Sequence, residues 1–424
     1  MQVLSAADFA RFDRRYQPSD QVANTVSEVI DAVRRRGDAA LLEFAARFDR
    51  VNFASADDLV VSSHDFEAAE SQVDEQVRAA IRASLENVTA FADRSKRRDW
   101  MGTNAQGAEV GEIFQPFDRV GIYVPGGTAP LVSTVNMTVG IAKAAGCESI
   151  VVCTPPGPDG TINAAMLHAL QAAGATEVWR LGGAQAIAAL ALGTETLIPV
   201  QKIFGPGNSY VMEAKRQVFG AVAVDLLPGP SEILVLADDS ANPAWIAADL
   251  LAQAEHGGDS VAILVSDSQA LLDAVVGEVD RQAVTLSRQA PLRSVLEKNC
   301  SLVKVETMEE GVVLTNAFAP EHLSLVSRRE AELLPSIRTS GAIFLGAYSP
   351  VAAGDFLAGP SHELPTGGAC KGFAGLTVDQ FQRRTSVVRL SREALERSVP
   401  IIETFARIEG LDAHGRSAGI RLEH

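Results

Sequence analysis

The hydrophobic positions along the 424-residue chain follow two different repeats. Up to about residue 100, apolar side chains recur every three or four positions, as at Val22, Val26, Val29 and Val33 ahead of Gly37. This spacing places them on one face of a helix, and a glycine is a typical helix end. The chain up to this point is therefore predicted to be largely helical.

Short β-branched runs replace the helical repeat from about residue 119. Each run is followed by a glycine or proline turn and an alanine-rich stretch, and units of this kind predict a parallel sheet. A second series of strands and helices begins at residue 232. We expect an α/β fold with two incomplete Rossmann-like parallel-sheet units in tandem and small helical N- and C-terminal extensions. The predicted strands span 120–124, 149–153, 177–181, 202–204, 232–237, 260–266 and 342–345, and the predicted helices include 243–256, 376–383 and 392–408.

Composition and charge narrow the class of protein. The formal net charge is −16, which disfavours a nucleic-acid partner, and 47% of the residues are hydrophobic, as in globular proteins. No apolar run approaches the roughly 20 residues of a membrane helix, and charges interrupt the beginning of the chain where a secretory signal would be apolar. The four cysteines lack CxxC spacing, which fits reduced thiols. We expect a cytoplasmic protein that binds neither nucleic acid nor membranes.

A candidate metal site begins at the end of the helix predicted over 243–256. Gln253 and His256 are three residues apart and share one helix face, so both side chains can converge on one point. Imidazole is a common metal ligand, whereas an amide oxygen is a modest one. Taken alone, the segment is more typical of a polar helix end in which His256 caps the last turn.

Further acids and imidazoles stand in irregular segments towards the end of the chain. Glu321 and His322 lie at a predicted loop-to-strand junction, where both can address one pocket, and histidine is the natural proton acceptor near neutral pH. Asp355 and His362 lie in a glycine-rich stretch of the kind that often carries function. His414 follows the last predicted helix. Each segment alone also fits a solvated surface group or a turn.

Six longer stretches stand in order along the chain. They are GIYVPGG at 121–127, GGAQAIA at 182–188, IFGPGN at 203–208, GPSE at 229–232, DLLAQAEH at 249–256 and PEHL at 320–323. With these stretches the chain resembles the histidinol dehydrogenase family over essentially its whole length, and six ordered matches are far more specific than a single glycine-rich loop.

The resemblance implies an activity, a metal and an assembly. The family oxidises L-histidinol to L-histidine through the aldehyde, with two hydride transfers to NAD, in the last steps of histidine biosynthesis. Position by position, its zinc ligands fall on Gln253, His256, Asp355 and His414, with one Zn²⁺ per subunit. The last ligand would come from the neighbouring subunit of a homodimer with shared active sites.

The resemblance also implies catalytic and binding roles. The base falls on His322, and Glu321 would activate the water that hydrates the aldehyde. The implied NAD contacts are Tyr123, Gln185 and Asn208. The implied substrate contacts are Ser231, Gln253, His256, His322, Asp355, His362, Glu409 and His414.

The expected domain organisation combines this resemblance with the hydrophobic pattern. Residues 1–20 would form an N-terminal helical arm. Residues 21–118 and 232–374 would form a first Rossmann-like domain with most of the zinc and catalytic residues, and 119–231 a second one that contacts NAD. Residues 375–424 would form a C-terminal helical domain and tail, swapped between subunits.

Two other functions compete with this one. A paralogue that oxidises another small primary alcohol, such as a sulfonated or hydroxylated diol, would be expected to lose the groups that recognise imidazole and amine. His362, Glu409 and His414 are nevertheless present.

A non-catalytic metal- or nucleotide-binding protein could share the fold, since fold alone does not establish activity, but it would not need Glu321 and His322.

Overall fold

The computed structural model of the chain describes residues 1–5, 9, 14, 18–126 and 130–423. Within these residues, two parallel β-sheets are each covered by helices on both faces. Most of their strands are runs of buried Val, Ile and Leu, because a parallel sheet with helices on both sides has no solvent face. The predicted α/β class with two tandem parallel sheets is confirmed.

The elements are numbered in chain order. The strands are β1 (Gln2–Ser5), β2 (Trp100–Thr103), β3 (Glu109–Pro116), β4 (Arg119–Tyr123), β5 (Ser149–Thr154), β6 (Glu177–Arg180), β7 (Lys202–Phe204), β8 (Ala223–Val224), β9 (Glu232–Ala237), β10 (Val261–Ser266), β11 (Cys300–Lys304), β12 (His322–Val326), β13 (Ala342–Leu345) and β14 (Gln382–Arg389). The helices are α1 (Asp20–Arg36), α2 (Asp38–Phe44), α3 (Ser63–Glu70), α4 (Glu75–Ser95), α5 (Val132–Ala145), α6 (Ala164–Ala173), α7 (Gly183–Leu192), α8 (Ser209–Val218), α9 (Pro243–Ala254), α10 (Gln269–Ala283), α11 (Gln289–Lys298), α12 (Met308–Phe318), α13 (Glu330–Leu333), α14 (Val351–Phe356), α15 (Arg392–Glu409) and α16 (Asp412–Gly419). A π-helical turn, Ala45–Asp49, follows α2.

Both parallel sheets have a point at which the strand order reverses. The order in the five-stranded sheet is β6-β5-β4-β7-β8, with the reversal between β4 and β7. The order in the six-stranded sheet is β1-β11-β10-β9-β12-β13, with the reversal between β9 and β12. In open parallel sheets the crevice for ligands lies at the carboxyl ends of the strands beside such a point.

The helices between residues 20 and 95 cover the five-stranded sheet. Val29 of α1 belongs to the hydrophobic cluster that contains Trp179, and Val88 of α4 belongs to the cluster on the other face, with Ile150. The predicted domains place residues 21–118 with residues 232–374, which form most of the six-stranded sheet. In the structure, the helices of 21–118 pack on the five-stranded sheet instead. The domain boundaries themselves stay a prediction.

Two segments differ from the helices predicted for them. Residues 376–383 form a short 3-10 turn, Val378–Phe381, and the beginning of β14, which pairs with β3 in an antiparallel sheet of the order β14-β3-β2. The turn is fixed because Phe381 is fully buried and stacks on Phe204 with ring centroids 3.8 Å apart. In the predicted N-terminal helical arm, Gln2–Ser5 is instead β1, which continues the six-stranded sheet beside β11. Half of the arm lies outside the described residues.

The C-terminal segment is a helical hairpin with an exposed apolar face. Gly410 in a left-handed conformation ends α15, and α16 turns back against it. Phe405 is 58% exposed and Ile408 71% exposed. In the described ranges, no helix is both long enough and apolar enough to cross a bilayer.

Gly205, which follows β7, provides a test of the backbone geometry beside the five-stranded sheet. Its φ is +108°, and a Cβ placed there would lie 2.0 Å from the Tyr123 carbonyl oxygen. We expect Gly205→Ala to lower the free energy of unfolding by about 2–4 kcal/mol, because the turn must move or remain strained. Urea denaturation of the purified variant measures this change.

The matched control is Gly277→Ala in α10. A Cβ there meets no atom within 4 Å, and the φ is not positive. This change should stabilise the protein by about 0.5–1 kcal/mol, since alanine loses less conformational entropy in a helix. Equal stability changes at the two glycines would contradict the described turn.

Candidate active site

The central residue of the site is His322, the first residue of β12. Parallel pairing with β9 places it opposite Ile233, next to Glu232. Its Nδ1 lies 2.9 Å from the Glu232 carbonyl oxygen. A carbonyl oxygen can only accept, so Nδ1 carries the proton and Nε2 keeps a lone pair in the neutral ring.

The environment of His322 keeps the ring neutral. The side chain is 5% exposed, and its Nε2 is buried without a hydrogen-bond partner among the described residues. Burial lowers the pKa of His322, the charges of His256 and His362 lower it further, and Asp355 opposes them. The site therefore contains a buried imidazole with an available lone pair, which is suited to accept a proton.

Glu321 is a buried carboxyl group held beside His322. Its Oε2 accepts hydrogen bonds from the Ser231 hydroxyl at 2.7 Å and from the Glu232 backbone N–H at 2.6 Å. Burial raises the pKa of Glu321 well above its ordinary value, although both hydrogen bonds oppose the shift. The same oxygen lies 3.5 Å from His322 Nδ1. Two of the predicted residues thus form one acid–imidazole unit at the start of β12.

Glu232 is a second buried carboxylate that the sequence reasoning missed. It pairs with Arg14 and accepts the Gly367 backbone N–H at 2.9 Å. Burial raises the pKa of Glu232, and its charge also contributes to the raised pKa of Glu321. The sequence signal that could have identified Glu232 is its position directly after Ser231, a predicted substrate contact. Its main-chain carbonyl is the group that fixes the proton position on His322.

The predicted metal ligands Gln253 and His256 lie where α9 ends. The helix stops at Ala254, two residues earlier than predicted, so His256 is in the following turn. Its Nδ1 donates to the Ala252 carbonyl oxygen at 3.0 Å, which leaves the Nε2 lone pair free. The Gln253 side chain is buried, and its amide nitrogen has no hydrogen-bond partner in the described part of the chain.

Asp355 and His362 approach the site from the segment after β13. An Asp355 carboxylate oxygen lies 3.8 Å from His322 Nε2, and the Asp355 carbonyl accepts His362 Nδ1–H at 3.0 Å. His362 Nε2 lies 3.1 Å from the Thr134 hydroxyl and 3.4 Å from a Glu363 oxygen. Burial lowers the pKa of His362, but the Glu363 and Asp355 carboxylates together raise it above its ordinary value. Thr134 and Glu363 are contacts that the sequence did not indicate.

The site lies where the two parallel sheets meet. His322 and Glu232 are at the amino ends of strands in the six-stranded sheet, whereas Thr134 is in the first turn of α5, after the carboxyl end of β4 in the five-stranded sheet. A cleft of about 670 Å³ is lined by His322, Asp355 and His362. This volume is within the range of small-molecule sites.

Two predicted site residues lie apart from this cluster. Glu409 ends α15 and His414 lies in α16, and both are exposed on the C-terminal hairpin. The described residues contain no cluster of three or more His, Cys, Asp or Glu side chains suited to a metal ion. A single protomer places Asp355 3.8 Å from His322 Nε2 and His256 near enough for its charge to lower the pKa of His322, with Gln253 three residues before His256, whereas His414 lies on the C-terminal hairpin.

The predicted dinucleotide contacts lie at the carboxyl edge of the five-stranded sheet. The Tyr123 hydroxyl, at the end of β4, accepts the Gly183 backbone N–H at 3.2 Å, and burial raises the pKa of Tyr123 to about 12. Gln185 is buried in the first turn of α7. Asn208 is exposed and caps α8 through its side-chain oxygen. Gly127, in the loop after β4, lies outside the described residues.

Comparisons with known proteins identify the family of the chain. The family model for histidinol dehydrogenase matches residues 12–422. A histidinol dehydrogenase of Geobacillus kaustophilus is 45% identical over 405 residues, which covers 96% of this chain and 95% of that protein. The crystal structure of histidinol dehydrogenase from Elizabethkingia anophelis has a TM-score of 0.95 at 33% identity, covering 100% of this chain and 98% of that one.

A more distant structure shares the fold alone. The acetylating aldehyde dehydrogenase from Geobacillus thermoglucosidasius has a TM-score of 0.50 at 14% identity, over 88% of this chain and 98% of that one. The whole-length family match and the high identity to curated relatives carry the assignment. The chain belongs to the histidinol dehydrogenase family.

Proposed function

We propose that the protein oxidises L-histidinol to L-histidine through L-histidinaldehyde, with reduction of two NAD, as a cytoplasmic enzyme of histidine biosynthesis. Its membership of the histidinol dehydrogenase family supports this activity. The observation that carries the chemistry is the hydrogen bond from His322 Nδ1 to the Glu232 carbonyl, because it leaves Nε2 unprotonated on an imidazole that lines the cleft.

His322 acts as the base of the alcohol step. Its Nε2 takes the hydroxyl proton while the hydride leaves the alcohol carbon for the nicotinamide. Burial keeps the imidazole neutral before the step, and Asp355 at 3.8 Å stabilises the imidazolium that forms. Thr134 and His362 join the two sheet edges, so a substrate beside His322 can face a dinucleotide bound at the five-stranded sheet.

Glu321 acts in the second half of the reaction. As a carboxylate it takes a proton from the water that adds to the aldehyde, while the His322 imidazolium returns its proton to the aldehyde oxygen. His322 is then neutral again and takes a hydroxyl proton from the hydrate as the second hydride leaves. Ser231 and the Glu232 backbone N–H orient Glu321 for this role. A cysteine is not needed as a nucleophile, and burial raises the pKa of Cys370 to about 12, which disfavours its thiolate.

Zinc fits the donors around the cleft. His256 has its Nδ1–H engaged by a carbonyl and its Nε2 free, as in most metal-bound histidines. The Gln253 side chain is buried and its amide nitrogen has no hydrogen-bond partner among the described residues, so no bond to this nitrogen keeps the amide from turning its oxygen towards an ion. With Asp355 they supply three donors, and His414 of the partner subunit would be the fourth. The ion, when bound, orients the substrate through its imidazole and amino nitrogens.

A homodimer would complete this site. The exposed Phe405 and Ile408 on the C-terminal hairpin form an unpaired apolar face, and Trp245, Tyr348 and Phe356 near the cleft are also exposed. Covering both faces with a second copy removes apolar surface from water and carries Glu409 and His414 to the neighbouring site. Ser231, His362 and Glu409 would contact the substrate, and Tyr123, Gln185 and Asn208 the NAD.

Substrate identity is tested by stoichiometry. The purified protein with Zn²⁺, NAD and L-histidinol should form two NADH for each histidine, measured by absorbance and by amino-acid analysis. One NADH per histidinol, with free aldehyde as product, would contradict the role of Glu321. No turnover alongside oxidation of a sulfonated or hydroxylated diol would support the paralogous dehydrogenase instead.

The base is tested by His322→Asn. The variant should lose on the order of 10²–10⁴-fold in kcat, because no other group replaces the buried lone pair. His64→Asn is the control, since His64 is exposed on α3 away from the cleft, and it should turn over like the parent protein. Unchanged kcat in His322→Asn would overturn the mechanism.

The shared metal site is tested with mixed dimers. His414→Ala and His256→Ala homodimers should each lose Zn²⁺ during gel filtration, measured by atomic absorption. A dimer with one subunit of each kind retains one complete ligand set, so it should hold one Zn²⁺ for two subunits. No recovery of zinc in dimers whose mixing is verified by differential tags would contradict sharing in trans.

A further inference from the structure

Asp49 is a partly buried carboxylate that the family motifs do not include. It ends the π-helical turn Ala45–Asp49, and the next residue, Arg50, has a left-handed φ of 60°. π-Helical turns and left-handed non-glycine residues are uncommon and concentrate at functional sites. This local geometry directs Asp49 to the turn between β6 and α7.

Asp49 makes two hydrogen bonds there, and both end on the same oxygen. Its Oδ2 accepts the Gly182 backbone N–H at 3.4 Å and the Gln185 Nε2 at 3.2 Å. An ionised carboxylate can only accept, so the amide nitrogen of Gln185 must face it and the carbonyl oxygen must face away. Asp49 thus determines which end of the Gln185 amide is available to a ligand.

Two consecutive glycines, Gly182 and Gly183, leave space for the Asp49 carboxylate. A Cβ on Gly182 would lie 2.6 Å from Asp49 Oδ1, and Gly183 has a φ of +62°. Tyr123 accepts the Gly183 N–H, and the charge of Asp49 contributes to the raised pKa of Tyr123. Asp49, Tyr123 and Gln185 therefore form one cluster at the carboxyl edge of the five-stranded sheet.

We propose that Asp49 is a positioning residue of the dinucleotide site, which fixes the Gln185 amide so that its carbonyl oxygen faces the bound NAD. This inference rests on the proposed use of NAD. It also explains the paired glycines after β6: they admit the carboxylate that orients the amide. Asp49 acts through Gln185 and does not itself touch the dinucleotide.

The ionisation of Asp49 gives the proposal a pH dependence. Burial raises its pKa to about 6, against the opposing hydrogen bonds from Gly182 and Gln185. Above this pH the carboxylate accepts the amide N–H, and below it the protonated acid no longer fixes the amide orientation. Tyr123 faces Asp49 from β4 and stays neutral in this range, because burial raises its pKa to about 12, and the side chains of Arg47 and Arg50 on the same segment are exposed. NAD binding should therefore weaken as the pH falls from 7.5 to 5.

The test is a calorimetric titration of the zinc-loaded protein with NAD in the absence of substrate. Asp49→Asn should raise the Kd roughly 10-fold and remove the weakening at low pH, because the replacement has no charge and no titration. Asp57→Asn is the control, since Asp57 is an exposed carboxylate in the nearby 3-10 turn, and it should bind NAD like the parent protein. In turnover, Asp49→Asn should raise the KM for NAD with a much smaller change in kcat.

A double-mutant cycle separates positioning from direct contact. If Asp49 acts through Gln185, Gln185→Met should weaken NAD binding by a similar factor, and the double variant should be no weaker than Gln185→Met alone. Additive losses would overturn the proposal. If Asp49→Asn does not fold, Gln185→Met decides: loss of the pH dependence between 7.5 and 5 supports the proposal, and its retention refutes it.

Different results would refute the proposed use of NAD and the proposed role of Asp49. A parent protein that neither binds NAD nor turns over with it would refute the proposed function. A parent protein that does both, with Asp49→Asn indistinguishable from it in Kd and in pH dependence, would refute the role of Asp49 alone.

Discussion

The parallel pairing of β9 with β12 is the constraint on which the catalytic site depends. It places His322 beside Glu232, so a main-chain carbonyl in a buried sheet holds Nδ1–H at 2.9 Å. A side-chain acceptor could rotate away or titrate, whereas this carbonyl can do neither. The same end of β9 supplies the N–H and the Ser231 hydroxyl that hold Glu321. One strand pair therefore orients both proposed catalytic groups, the His322 imidazole and the Glu321 carboxylate.

The arrangement of the two sheets explains why the site is assembled from distant segments. The proposed catalytic residues lie at the amino end of β12, beside that of β9, while the expected dinucleotide contacts lie at the carboxyl ends of β4, β6 and β7. The carboxyl-end rule for parallel sheets thus describes the cofactor side of the proposed site but not the catalytic side. The hydrogen-bond distance between Thr134 and His362 links the two edges, so the proposed substrate and dinucleotide sites adjoin each other.

Much of the fold was predictable because parallel strands buried on both faces are continuous apolar runs with glycine turns. The antiparallel β14 was not, because its pattern Gln-Arg-Arg-Thr-Ser-Val-Val-Arg has no buried face and depends on its pairing with β3. Gln253, His256, Glu321, His322, Asp355 and His362 were proposed from their residue types and the family resemblance. Asp49 and Glu363 were not, since a lone carboxylate gives no signal until the chain brings it to Gln185 or His362.

The protonation of His322 tests the central claim most directly. Two-dimensional ¹⁵N–¹H spectra of protein labelled in its histidine rings distinguish the two neutral tautomers, and comparison with His322→Asn assigns the signals of His322. At neutral pH and without substrate, the account predicts a neutral ring with the proton on Nδ1 and an unprotonated Nε2. A proton on Nε2, or a doubly protonated ring, would contradict the assignment of His322 as the base.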